Sequence, residues 1–145
     1  MYSTDENYAQ HAIASIISLL ERNTDFNDIY IYLVENKLCE ETKNYIKNIV
    51  NEFRRKVIFI SIEEVCRNFK KNDDFPISAY ARLFISHIDN IDKILYLDCD
   101  TIINGTLLDL WNVDIEDYLV AGVQDNPAMY MSAIVGMGRQ DRYIN

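Results

Sequence analysis

The hydrophobic period of this chain switches repeatedly between helix spacing and strand-like runs, and this restricts it to a layered α/β architecture. Between residues 8 and 20 the apolar side chains Ala9, Ala12, Ile13, Ile16, Ile17 and Leu20 fall on one helical face, with Asn7 placed to cap it. Residues 29–34 form a β-rich run and read as a strand. Residues 40–53 give a second helix, turning Tyr45, Ile46, Ile49, Val50 and Phe53 inward, and residues 57–60 a second buried strand. A charged loop follows from Cys66. Pro76 then opens a third helix whose stripe is Ile77, Tyr80, Ala81, Phe84 and Ile88. Residues 93–97 are expected as the central strand, and residues 119–123 as a further one. Strands separated by helices imply βαβ units and a mostly parallel sheet with helices on both faces. Ligands of such sheets bind outside the carboxyl ends of the strands, so the residues after each strand carry the functional argument.

The chain has 145 residues, a length that suits one domain. Its net charge is −9, and its basic runs are only Arg54-Arg55-Lys56 and Lys70-Lys71, which argues against a nucleic acid partner. An acidic chain that handles a phosphorylated substrate needs local positive charge, from a metal ion or a well-placed arginine. Cys39, Cys66 and Cys99 have no C-x-x-C spacing, so neither a disulfide scaffold nor a zinc site is expected and reduced thiols in the cytoplasm fit best. No apolar run approaches the ~18 residues of a membrane span, and the first residues lack the pattern of a signal peptide. Attachment to the inner face of a membrane by other means stays open.

Asp98-Cys99-Asp100 sits where the central strand is expected to end. Side chains two apart on a strand share a side, so Asp98 and Asp100 face one volume and Cys99 turns back toward the protein. Two close carboxylates repel unless one is protonated or a cation lies between them. Hard oxygen ligands favour Mg²⁺ or Mn²⁺, with the remaining positions left to water or substrate phosphate. The bland alternative is a polar strand end with both residues solvated.

Four ordered blocks narrow this. They are Ser3-Thr4-Asp5-Glu6-Asn7-Tyr8, Ser78-Ala79-Tyr80-Ala81-Arg82-Leu83-Phe84, the run from Asp92 through Asp98-Cys99-Asp100-Thr101 to Gly105, and Leu108-Asp109-Leu110-Trp111. Together they resemble the family-8 glycosyltransferases, retaining enzymes of the nucleotide-diphospho-sugar transferase (GT-A) fold. The resemblance implies that residues 1–145 are the N-terminal, nucleotide-sugar-binding part of a single glycosyltransferase domain. It implies a metal-dependent transfer of a hexose from a UDP-sugar to a saccharide or glycan acceptor, with Mn²⁺ or Mg²⁺ held by Asp98 and Asp100. Asp98 would also lie near the ribose, Asp5 and Asn7 would meet the uracil and ribose, and Arg82 would reach the phosphate or the donor sugar. Asp125 matches an acidic position near the sugars, and Asn145 an Asn facing the donor sugar. The family's remaining metal ligand, a His, and its acceptor pocket lie further along than this chain runs.

Each residue also has a plainer role open to it. Asp5 and Asn7 suit helix capping, Arg82 a surface ion pair, Trp111 the core beside Leu108 and Leu110, and His11 and His87 a structural place on helices. Two rival functions are carried forward. One is a catalytically incomplete nucleotide-binding fragment, since the chain looks cut at both ends and its open sheet edges invite self-association. The other is a haloacid dehalogenase-like phosphatase, whose D-x-D-x-T pattern is missed here because Thr101 comes one position early.

Overall fold

The computed structural model describes residues 1–65, 80–88 and 91–122. Its frame is three strands, β1 (Tyr2–Asp5), β2 (Tyr30–Asn36) and β3 (Lys56–Ser61), which lie in that order and run parallel. Tyr2 pairs with Leu33, and Tyr30 with Lys56. Helix α1 (Ala9–Arg22) connects β1 to β2, and α2 (Glu40–Glu52) connects β2 to β3. Chain order and parallel pairing make these two βαβ units, as the alternating periods required.

Alternation along the strands sorts the two faces of the sheet. Tyr2, Ile31 and Leu33 point to one face and join Ile16, Leu19, Leu20, Ile46 and Val50 of the two helices in the larger apolar cluster. Val34 and Met1 point to the other, where they meet Ile62, Ala81 and the flanking Ile85, Ile94 and Tyr96. Leu33, Val34 and Val50 are completely buried, and each such side chain stabilises the fold by roughly 1.5–3 kcal/mol relative to exposure. Within α1, Ser15 and Leu19 are buried while Ile13 and Ile17 are half-buried, so the covered stripe is rotated slightly from the expected one.

The helix ends depart from expectation in instructive ways. Asn7 does not cap α1: Tyr8 holds the N-cap position without a side-chain bond, and the Asp5 carboxylate accepts the Tyr8 N–H at 3.1 Å instead. Helix α2 is capped by the Cys39 thiol, which accepts from Thr42 N, and Glu40 and Glu41 complement the dipole of its first turn. Arg54, at φ 57°, takes the left-handed position that closes the helix. Tyr45 is 57% exposed and not part of the inner face, because it sits one residue before the buried Ile46 on the helix circumference. Strand β3 is half-exposed rather than buried, with Ile58 at 38%, since among the described residues only β2 pairs with it.

The expected central strand at residues 93–97 does not form a ladder segment. It lies extended beside β1 and makes two main-chain bonds there, Met1 N to Leu95 O at 2.6 Å and Leu97 N to Met1 O at 3.0 Å. That is one step of a parallel ladder with Met1 opposite Tyr96. Lys93 and Ile94 precede this step, and β1 lies beside only the end of the segment. The enclosed Met1 ammonium is pushed down to about 5 by burial. Residues 81–87, expected within a helix, form the 3-10 helix Ala81–His87, while the expected loop from Cys66 and the helix start at Pro76 lie outside the described residues. Trp111 is not core: it is 37% exposed, with Lys93 Nζ 5.4 Å from its ring centroid.

The chain divides into two compact units, Met1–Trp111 and Asn112–Asn145. Within the described part of the second, Tyr118 N donates to Ile115 O at 2.9 Å, closing a turn. Leu119 and Val120 are exposed and residues 119–122 of the strand expected over 119–123 are not in a strand, while residue 123 lies outside the described residues. Among the described residues, the hydrogen-bonded sheet comprises β1, β2 and β3. Among the described residues, no helix is long and apolar enough to cross a membrane.

Candidate functional site

The carboxyl ends of the strands form an acidic rim. β1 ends at Asp5, followed by the exposed Glu6 and Asn7, and β2 ends at Glu35 and Asn36. Glu35 is buried, accepts the Leu38 N–H at 2.9 Å and pairs with Lys43 at 3.0 Å, so it closes the strand end. Glu6 accepts from Cys39 N at 2.9 Å and Thr42 Oγ1 at 2.6 Å, tying the loop after β1 to the start of α2. These bonds hold its carboxyl below the usual range. Both glutamates are thus committed to structure.

Asp98 and Asp100 extend the rim from the segment beside β1, and both are exposed. Residues 98–101 make a turn in which Asp98 O accepts Thr101 N at 3.2 Å and Thr101 Oγ1 at 2.7 Å. Cys99 points inward against the larger core cluster. Its thiol is pushed up by burial first, and then by Asp100, Asp98 and Asp5. Three carboxylates therefore act on one point, a concentration of negative charge that a cation would relieve.

One cation is already there. Arg82, on the 3-10 helix, places a guanidinium nitrogen 2.9 Å from Asp98 Oδ1 and stacks 4.5 Å above the Tyr96 ring. Tyr96 is pushed up to about 12 by burial, with Arg82 opposing and Asp98 adding to the shift. Tyr96, Asp98 and Arg82 thus form a contiguous group. Its residue type does not single out Tyr96 as a site residue, but it lies two positions before Asp98, the spacing that puts extended side chains on one side.

Asp5, Arg82, Asp98 and Asp100 accordingly collect at one edge of the molecule, with the exposed Asn7 on the loop that Asp5 begins. Asp125 and Asn145 lie outside the described residues, as does the His87 side chain. His11 is exposed and packs on Tyr8, ring centroids 5.3 Å apart. Among the described residues, no group of three or more His, Cys, Asp and Glu side chains is arranged to hold a metal ion. Two carboxylates plus substrate phosphates are nonetheless a usual way to bind Mg²⁺, which keeps waters in its remaining positions, so the donor set fits a cation carried with a diphosphate. A cavity of about 450 Å³ is lined by Met1, Tyr30, Ile31, Lys93, Leu95 and Trp111 among others, toward the opposite ends of the strands, and by none of the rim carboxylates.

The sequence pattern of glycosyl transferase family 8 matches residues 1–145, the whole chain. The chain belongs to that family. It is 36% identical over 128 residues to a protein of Haemophilus influenzae provisionally named a glycosyltransferase, covering 86% of this chain and 38% of that protein. It is 26% identical over 143 residues to a lipopolysaccharide 1,2-glucosyltransferase of Escherichia coli, covering 97% of this chain and 42% of the enzyme. Among solved structures, the galactosyltransferase LgtC, determined with donor and acceptor sugar analogues, superposes with a TM-score of 0.65 at 25% identity. That match covers 80% of this chain and 42% of LgtC. The bifunctional glycosyltransferase WbbM gives a TM-score of 0.76 at 28% identity, over 86% of this chain and 22% of WbbM. These neighbours bear out the α/β, GT-A-like fold expected from the family-8 resemblance, and the matches give no support to a phosphatase. The chain spans less than half the length of each of these relatives.

Proposed function

We propose that this family-8 chain is the nucleotide-sugar-binding part of a single glycosyltransferase domain, which presents a UDP-hexose for metal-dependent, retaining transfer to a saccharide or glycan acceptor. The observation that carries this reading is the meeting of Arg82 with Asp98, beside Asp100 and Asp5, at the carboxyl edge of a parallel sheet. That edge is where such sheets bind nucleotides. In this reading Asp98 and Asp100 supply carboxylate oxygens to Mn²⁺ or Mg²⁺. Such a cation, held by Asp98 and Asp100, would supply Lewis-acid stabilisation to the charge of a departing diphosphate. Arg82 offers its guanidinium fork to the same diphosphate, a geometry suited to phosphate oxygens and worth more away from bulk water. Asp5 and Asn7 meet the uracil and ribose and Asp98 also lies near the ribose; Asp125 and Asn145, outside the described residues, are assigned by the family-8 resemblance alone, to an acidic position near the sugars and to an Asn facing the donor sugar.

Calorimetric titration of the chain with UDP, with and without Mn²⁺, tests the reading. Binding is expected only with the cation, and to weaken at least tenfold in Asp98→Asn and Asp100→Asn, the scale of a lost charge-assisted contact. Equal UDP affinity without the cation, or in both variants, would overturn it.

A further inference from the structure

Helix α1 and its C-cap residue Asn23 carry polar side chains that face the segment after the carboxylate pair. Ser18 Oγ accepts the Ile103 N–H at 2.9 Å, and Asn23 Oδ1 accepts the Leu107 N–H at 2.6 Å. Earlier in α1, the completely buried Ser15 hydroxyl lies 3.2 Å from Tyr2 OH and 3.3 Å from Thr101 Oγ1. Thr101 Oγ1 in turn donates to Asp98 O at 2.7 Å. Ser15 donates its one proton to Tyr2 OH and Thr101 donates its own to Asp98 O, so Ser15 and Thr101 meet as a close polar contact that seats the turn against α1.

Ser15 and Thr101 fix where the turn at residues 98–101 starts relative to α1. Both carboxylates leave that turn, so a small rotation at Asp98 would move the two apart. The Thr101 amide also reaches Asp98 O, at the longer 3.2 Å, and it does not connect the turn to α1. We propose that Thr101 and Ser15 are positioning residues that hold Asp98 and Asp100 at the separation a shared divalent cation needs. This rests on the reading of the pair as a cation site. Groups that orient metal ligands typically change metal affinity 10–100-fold when removed, and buried hydroxyl networks are sensitive to the loss of one member.

The test is Mn²⁺ affinity measured by electron paramagnetic resonance on the full chain, with and without UDP, alongside the thermal midpoint. Thr101→Val keeps the shape but removes the hydroxyl, and is expected to weaken Mn²⁺ binding about tenfold. Thr101→Ser restores the hydroxyl and is expected to bind within about twofold of the unaltered chain, since one retained hydrogen bond accounts for the difference. Ser15→Ala removes the contact with Thr101 together with the hydrogen bond to Tyr2 OH, and is expected to weaken Mn²⁺ binding about threefold, the lower range for one such bond. If Thr101→Val does not fold, Ser15→Ala carries the test by itself. Unchanged Mn²⁺ affinity in the folded variants, or a Thr101→Ser loss as large as that of Thr101→Val, overturns the positioning role and leaves the cation site standing. Failure of the unaltered chain to bind Mn²⁺, even with UDP, overturns the cation site itself and the positioning role with it.

Discussion

Replacing Arg82 by Gln separates the two roles that this residue can have. In the structure it pairs with Asp98 at 2.9 Å, but the two side chains are 45% and 52% exposed. Solvent screening limits such a pair to about 0.2–1 kcal/mol, and the stack on Tyr96 adds about 0.5–1 kcal/mol. The loss in stability should therefore stay below about 2 kcal/mol, a midpoint shift of only a few degrees for a chain of this length. If the guanidinium instead serves a diphosphate, its removal forfeits a charge-assisted hydrogen bond of about 1.5–3 kcal/mol. That corresponds to a loss of UDP affinity of about 10–150-fold at saturating Mn²⁺. Mn²⁺ binding without UDP should hold or tighten, because Arg82 and the metal compete for the Asp98 carboxylate. Arg82→Lys keeps the charge but not the planar fork, and should recover only part of the loss. Thermal unfolding and calorimetric titration on the same samples decide the matter. UDP affinity within threefold of the unaltered chain would make Arg82 a structural ion pair and remove it from the site.

Asn23 is completely buried and bonds both Leu19 O and Leu107 N; Asn23→Ala should cost about 2–4 kcal/mol by orphaning both groups, measured by urea unfolding. Leu33→Ala, at the centre of the larger cluster, should cost about 2–5 kcal/mol, whereas Tyr45→Ala at 57% exposure should change stability by no more than about 0.5 kcal/mol. Tyr2 and Tyr96 are both pushed up to about 12 by burial. The folded state then keeps phenolic protons that the unfolded chain releases from pH 10 upward, so stability is full below pH 10 and falls as pH rises toward 12, by about 1.4 kcal/mol per pH unit for each tyrosine at most. Ultraviolet titration of tyrosinate beside alkaline unfolding checks both the window and the sign.

Hydrophobic period was sufficient for the parts of the fold made by local sequence. Helices α1 and α2 and strands β2 and β3 fall within two residues of their expected limits, because each buries a face with its own period. Residues 93–97 differ from their expected strand for one reason. An apolar run specifies burial, but a strand also needs a hydrogen-bonding neighbour, and that neighbour is set by tertiary arrangement. The same limit explains Asn7. Its type suits a cap, but the approach of Asp5 to Tyr8 N decided which side chain took the bond. In the site, Asp98 and Asp100 stood out because charge at the end of an apolar run is unusual. Ser15, Thr101 and Tyr96 carried no such contrast. A serine on an apolar helix face becomes informative only once its partner, 86 residues away in sequence, is seen beside it.

The central claim is that Asp98 and Asp100 share a divalent cation against a diphosphate. Anomalous scattering from crystals of the chain grown with Mn²⁺ and UDP tests it most directly. The account predicts a single manganese peak bonded to carboxylate oxygens of both residues at about 2.1 Å, the range of a small divalent ion, with the diphosphate on its other side. A peak bound elsewhere on the rim, or UDP seated with no metal between these two aspartates, would contradict it.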